Sequence, residues 1–398
     1  MVETIIFLGL FGCMLILVVA EIFLGISWLL RKRKKSSSIK NRGRLKRNAI
    51  LLIVTVILMG GLMLYSQITV STPKIKYKNG KIMDHSIAKL ESVDLNNRRE
   101  WISIRGQDKE NPVLLFLAGG PGGSQMAAVR HELSELEKHF VVVVWDQPGS
   151  GKSFSVGNEK LTVDTYIKDG LALTEYLRKQ FDQDKIYLVG ESWGSALGVF
   201  LASESPNYYH AVIGTGQMVD FLETENLDYD KAFEIAEEKG DTDKIKKLKE
   251  NGRPPYFGSD VTWKSAEYLN YLSSYMSSNP EIQNGGYHTF RDIFSSEYSI
   301  IDKINYLRGI VTTFNHVYPQ LYDMDLRRDY SSINVPVYFF LGRHDINAPT
   351  SLAEDYLNIL EAPHKEIVWY EYSGHSPWIN ESDKFVSELL SIRNKAGV

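Results

Sequence analysis

Two long apolar runs open the chain, Ile5 to Leu30 and Ala49 to Tyr65, the second extendable to Val70. At about 1.5 Å of rise per residue the first spans a hydrocarbon core with length to spare and the second just does, so each predicts a transmembrane helix. After a polar, Lys-rich stretch from Ser71 to Asp84 the pattern shortens. Ser86 to Val93 and Glu100 to Arg105 alternate, whereas Val113 to Leu117 and Val141 to Trp145 are apolar throughout and Lys185 to Gly190 nearly so. Alternation predicts strands with one wet face, and short continuous runs predict strands covered on both faces. Between them Val163 to Phe181 sets Val163, Tyr166, Ile167, Leu171 and Leu177 on a helical stripe. Strands alternating with helices predict an α/β domain with a mostly parallel sheet, entered through antiparallel edge strands.

After the strand-like Ala211 to Gly214 the alternation lapses, and Met218 to about Tyr330 reads as helices: charged from Lys231 to Glu250, crowded with aromatics over Trp263 to Met276 and Tyr287 to Phe314. This is too long for a loop and carries its own apolar stripe, which predicts an inserted helical cap. Strands resume at Pro336 to Gly342 and Glu366 to Tyr370, separated by a helix ending at Ile359 and followed by an amphipathic helix from Ser382 to Arg393. The expected organisation is a membrane anchor over 1–70, a linker over 71–84, an α/β core over 85–216 and 331–398, and a cap over 217–330.

Charge sharpens this picture. The segment Arg31 to Asn48 between the apolar runs holds ten Lys or Arg and no acid, so by the positive-inside rule it is a cytoplasmic loop and the catalytic domain faces outward. The N-terminus carries Glu3 and no basic residue, unlike the n-region of a cleaved signal peptide. Of 45 basic and 49 acidic residues, ten and two fall within the first 70, which leaves 35 against 47 and a balance of about −12 for the remainder. Such a domain is a poor partner for nucleic acid and suits the outside of an anionic bilayer. Cys13, the single cysteine, lies in the first apolar run, so the outer domain has neither disulfide nor thiol nucleophile. Glu21 is a costly residue at membrane depth and is expected to face the second helix or the rim.

The candidate chemistry gathers at strand ends. Tyr187 to Gly198 reads as strand, sharp turn and helix around Gly190-Glu191-Ser192-Trp193-Gly194, a G-x-S-x-G nucleophile elbow whose glycines leave room for the turn and the neighbouring helix. Asp345 and His375 follow in the order Ser, acid, His, each just past the end of a strand. A serine hydroxyl needs a base to take its proton, and an imidazole serves when a carboxylate fixes its tautomer. Ser192, Asp345 and His375 are therefore the expected triad. The N–H of Trp193 and one from the Gly119-Gly120 loop are the expected oxyanion donors. Gly151-Lys152-Ser153 imitates the end of a P-loop, but Asp146 stands where its first glycine is required, so nucleotide binding is rejected. This chemistry requires no metal and no cofactor.

These residues resemble the α/β-hydrolases of the proline iminopeptidase type. The resemblance runs from about Ile87 to the C-terminus and rests on Gly119-Gly120-Pro121-Gly122, Trp145-Asp146-Gln147, Gly149-Ser150-Gly151-Lys152-Ser153, the elbow, Gly342-Arg343-His344-Asp345 and Gly374-His375-Ser376. It implies a serine hydrolase whose cap encloses a small apolar pocket, with cap glutamates binding the free α-amino group of a substrate. Glu223 and Glu225 are the candidates for that role, with Asp228 and Asp230 as competitors. Ala118 stands where the family's loop usually has His, Pro148 replaces a usual Arg, and the two-helix anchor is a departure from the soluble enzymes. The implied activity is release of an N-terminal residue, with proline as one option, from short peptides. An esterase or amidase acting on a small acyl substrate and a non-catalytic ligand-binding protein on the same fold are the alternatives. The sequence carries no sign of an oligomeric state.

Overall fold

The computed structural model describes residues 2–33, 39–155 and 160–396. They fall into two compact units, one of residues up to 71 together with 294–303, the other of 72–293 and 304 onward.

The first unit is built on α1 (Val2–Arg33) and α2 (Ile39–Thr69). Both helices are long and apolar enough to cross a membrane. They reach further than the apolar runs, and residues 39–48 of the expected basic loop belong to α2; Lys and Arg are good helix formers, so a change from apolar to basic does not end a helix. The remainder of that loop, 34–38, lies outside the described residues. Glu21 faces the second helix: Asn48 Nδ2 donates to its carboxylate at 2.6 Å and to the Leu17 carbonyl at 2.9 Å. Residues 294–303 belong to this unit through the end of α2, where Ser71 N–H donates to the Ser296 carbonyl (3.1 Å) and Ile300 N–H to Ser66 Oγ (3.2 Å).

The second unit is organised by one eight-stranded sheet in the order β1-β2-β4-β3-β5-β6-β7-β8. The strands are β1 (Ile87–Leu95), β2 (Arg98–Gly106), β3 (Val113–Leu117), β4 (Val141–Asp146), β5 (Ile186–Glu191), β6 (Tyr209–Thr215), β7 (Val337–Gly342) and β8 (Lys365–Tyr370). β1 and β2 are antiparallel to their neighbours and all later pairings are parallel. Every residue of β3, β4, β5 and β7 is buried, as continuous apolar runs require. The stretch before β1, expected as a plain linker, folds back on itself through a Lys76–Ile82 bridge, and its Ile75 is buried.

Helices flank the sheet: α3 (Met126–Glu132), α4 (Val163–Gln180) and α5 (Trp193–Glu204) before β6, then α13 (Thr350–Ile359), α14 (Pro377–Asn380) and α15 (Ser382–Lys395) beyond β7. α5 is buried along nearly its whole length, which its Ala, Leu, Val and Phe content permits. Between β6 and β7 the chain forms α6 (Phe221–Lys239), α7 (Thr242–Asn251), α8 (Val261–Ser277), α9 (Thr289–Ile293), α10 (Ile300–Arg308), α11 (Phe314–Val317) and α12 (Leu326–Asp329). α6, α7 and α8 share a core of Tyr229, Ala232, Ile235, Leu248, Val261, Tyr268 and Leu272. The parallel register aligns the carboxyl ends of β3, β5, β6, β7 and β8 on one edge, where open α/β sheets collect their ligand sites.

Candidate active site

Ser192 sits between β5 and α5 with φ 53° and ψ −124°, a left-handed-side conformation that a non-glycine residue holds only under constraint. The constraint is local. Its N–H donates to the Thr215 carbonyl at the end of β6 (2.9 Å), and its carbonyl accepts from Ser195 Oγ (2.6 Å). A Cβ on Gly190 would lie 2.1 Å from the Gly194 carbonyl oxygen, and one on Gly194 would lie 2.1 Å from that of Leu117, so the turn closes only with glycine at both positions. Trp193 N–H, the first of α5, has no intrahelical acceptor.

Asp345 follows β7 and His375 follows β8. The Asp345 carboxylate, 1% exposed, accepts the backbone N–H groups of Asn347 (2.9 Å) and Ala348 (3.0 Å), which fix it. His375 Nδ1 lies 3.0 and 3.2 Å from its two oxygens. An Nδ1–H donating to this carboxylate leaves Nε2 as the basic nitrogen. Burial by itself disfavours the imidazolium, but the Asp345 charge and hydrogen bond, with the Glu191 charge nearby, outweigh it and push the His375 pKa up to about 9.

Gly120, Ser192, Trp193 and His375 line one cavity of about 120 Å³. Its far wall is α6, which contributes Phe221, Glu225 and Asp228, with Phe314 and Tyr318 beside them. Glu225 is fully held: Tyr318 OH donates to it at 2.8 Å, Ser265 Oγ at 3.1 Å, and Tyr268 OH also donates. Asp228 is buried, and among the described residues neither of its carboxylate oxygens has a hydrogen-bond partner. Burial, then the charges of Glu225 and Asp345, raise its pKa well above the carboxylate range. Glu225 is raised too, by burial, against the pull of its three hydroxyl donors.

Of the four acids weighed for the cap, Glu225 and Asp228 reach this cavity. Glu223 lies outside it, largely exposed and paired with Arg327 at 2.5 Å, and Asp230 is paired with Arg253 at 2.7 Å on the surface. The reason is helical phase: Glu223 and Glu225, two residues apart, point to different faces, whereas Glu225 and Asp228 share one. Gly119 and Gly120 also separate. The Gly119 N–H is turned to Gln125 Oε1 (3.4 Å), while the Gly120 N–H has no acceptor among the described residues and Gly120 lines the cavity.

Two supports escape a reading of the sequence. Gln147 bridges the Ala118 carbonyl (2.9 Å, from Nε2) and the Trp193 indole N–H (2.9 Å, to Oε1), and so ties the glycine loop to the elbow. Glu191, buried beside Ser192, accepts from Ser376 Oγ (2.6 Å), Trp378 Nε1 (2.8 Å), Gln125 Nε2 and Tyr287 OH. The P-loop-like segment folds onto its own Asp146, which accepts Lys152 N–H at 2.8 Å.

Comparison with known proteins agrees with this architecture. The model of the "alpha/beta hydrolase fold" family matches residues 112–244. A Bacillus subtilis (strain 168) protein named "Probable aminopeptidase YbaC" is 32% identical over 316 residues, 76% of this chain and 96% of the relative. The chain belongs to the α/β-hydrolases of the proline iminopeptidase type. A Saccharolobus solfataricus proline iminopeptidase is 28% identical to this hydrolase over 72% of the chain and 85% of the relative. The solved structure of a bacterial membrane phospholipase A superposes with a TM-score of 0.52 at 15% identity, covering 94% of this chain and 98% of its own, a likeness of fold.

Proposed function

We propose that this hydrolase is a membrane-anchored serine aminopeptidase that faces the outside of the cell and releases one N-terminal residue, proline or another small one, from short peptides. The observation that carries the reading is the pair of buried carboxylates, Glu225 and Asp228, across a 120 Å³ cavity from Ser192. Glu225 is held by three hydroxyls, but Asp228 is buried with no hydrogen-bond partner among the described residues, which is costly, and an ammonium group is the partner it lacks. A substrate held by its terminal amine presents the first carbonyl to the serine, and the cavity has space for one small side chain.

In this mechanism His375 takes the proton of Ser192 as the hydroxyl attacks that carbonyl, and Asp345 holds the imidazole and offsets its charge. The N–H groups of Gly120 and Trp193 hold the oxyanion. His375 then gives its proton to the departing amine, and a water molecule, deprotonated by the same imidazole, releases the acyl group from Ser192. The basic cluster between the two apolar runs supports the outward orientation.

The test uses the full chain in detergent or nanodiscs with proline and alanine p-nitroanilides, their N-acetylated forms, a short p-nitrophenyl ester and a Ser192→Ala control. Cleavage of the free-amine anilides and not of their N-acetylated forms, lost in the control, is the expected result. Turnover of the ester alone would replace the aminopeptidase reading with an esterase.

A further inference from the structure

A second cavity, of about 330 Å³, opens on the other side of His375 and lies between α8, the segment leading to α9, and the loop that carries the histidine. Its volume is within the roughly 300–1,000 Å³ usual for ligand sites. Asn347 and His375 line both this cavity and the smaller one beside Ser192, so the two spaces meet at the imidazole that would protonate a leaving group. Among the described residues lining the larger space there is no Asp, Glu, Lys or Arg; the walls are Asn, Ser, Thr and Gly with Met276, Ile282 and Tyr287.

The surroundings are negative. Any positive charge on His375 is already matched by Asp345 and faces Glu191, whose carboxylate is held by Ser376, itself a wall residue. Glu281, on the segment that closes the cavity, pairs with His344 at 3.3 Å. Asn347 donates through Nδ2 to Ser273 Oγ at 3.0 Å, which leaves its buried Oδ1 without a partner among the described residues. An N–H at or next to the scissile bond supplies that partner.

Resting on the aminopeptidase reading for the acyl side, we propose that the larger cavity receives the leaving half of the substrate, that it selects an uncharged, hydrogen-bonding chain, and that Asn347 positions the leaving nitrogen. A leaving group continuing as peptide, or ending in an amide, finds donors and acceptors there. One that ends at once in a carboxylate meets no Lys or Arg in the described walls and lies near the Glu191 charge behind Ser376, which disfavours it. The substrate class is thus tripeptides and longer chains, or amidated dipeptides, with free dipeptides disfavoured.

The test pairs substrates that differ only in that charge: alanyl-alanine amide against alanyl-alanine, and acetyl glycolamide against acetyl glycolate as an ester pair. The full chain is expected to favour the neutral member at least tenfold in kcat/KM. Asn270→Lys, an exposed wall position, is expected to narrow the gap at least threefold. Asn347→Ala is expected to slow the peptide pair more than the esters, which lack the leaving N–H. Equal or better turnover of the charged members, or an Asn270→Lys ratio unchanged in a folded protein, overturns the proposal. Turnover of the ester pair alone removes the aminopeptidase reading, and the charge preference is still read from the esters. Without turnover of either pair, calorimetric titration of Ser192→Ala with the same compounds decides: tighter binding of the neutral member sustains the proposal, and equal binding or none ends it.

Discussion

The hydroxyl of Tyr287, from the helical layer inserted between β6 and β7, donates to the carboxylate of Glu191, the residue immediately before Ser192. The cap is thereby fastened to the elbow at a buried charge. Removing the hydroxyl in Tyr287→Phe leaves that charge with three donors and costs about 1–2 kcal/mol. For a domain of this size the full chain should then melt lower by about 2–6 °C. Thermal unfolding beside a Tyr372→Phe control, exposed and not among the donors to Glu191, checks this.

The pH profile follows from the His375–Asp345 pair. The imidazole is a base only when neutral, and its pKa is pushed up to about 9, so kcat/KM should climb with pH through a limb well above the ordinary histidine value near 6.5. In Asp345→Asn the cause of the rise is gone. The limb should move down by more than one pH unit while kcat falls by roughly 10³–10⁴. Rates from pH 5 to 10 for both proteins separate the two effects; an unmoved limb would sink the assignment of Asp345 to the imidazole.

Asp228 gives opposite signs for activity and stability. Its folded pKa is raised, so the native state holds a proton that the unfolded chain gives up, and stability is lost as pH rises above the unfolded value near 3.8 towards the folded one. Asp228→Asn removes this loss. Its melting temperature should exceed that of the parent by several degrees at pH 8, with the gap closing towards pH 4. Turnover of free-amine substrates should drop about 10- to 100-fold, since a charge-paired hydrogen bond of about 1.5–3 kcal/mol is gone. Ester turnover should be unaffected.

Gly216, at φ +51°, lets the histidine loop approach β6: a Cβ there would lie 2.7 Å from His375 Cε1. Gly216→Ala is expected to displace the ring and cut kcat by at least tenfold, because small misplacements of a catalytic group are expensive. Circular dichroism should remain that of the parent. Full activity in this variant would mean the ring has more freedom than the geometry allows.

What the sequence discloses and what it withholds divide along contact range. β3, β4, β5 and β7 announce themselves because strands buried on both faces are apolar along nearly their whole length, with acids only at the carboxyl ends of β4 and β5, and the elbow because its glycines are steric necessities. Glu225 and Asp228 were legible in principle. The buried stripe Phe221, Glu225, Asp228, Ala232 and Ile235 follows helical spacing and leaves Glu223 on the wet side; reading the acids by proximity to the strand in place of phase hides this. Tyr287, Gln147 and Gln125 carry no such periodic mark. Their roles depend on partners 29 to 96 residues away in the chain, which only the folded backbone brings near.

The segment 294–303 changes what the N-terminal unit is. The polypeptide leaves the end of α2 at Ser71 and comes back to it at Ser296 and Ile300, so backbone groups from the middle of the chain find their hydrogen-bond partners on a membrane-length helix. A protease that clips the chain after Ser71 would cut the covalent leash without undoing this clasp. A gene truncated to begin there would lack the clasp from birth, with the Ile300 N–H deprived of Ser66. Clipping and truncation would therefore leave two different molecules, one still holding α2 through these hydrogen bonds and one without it.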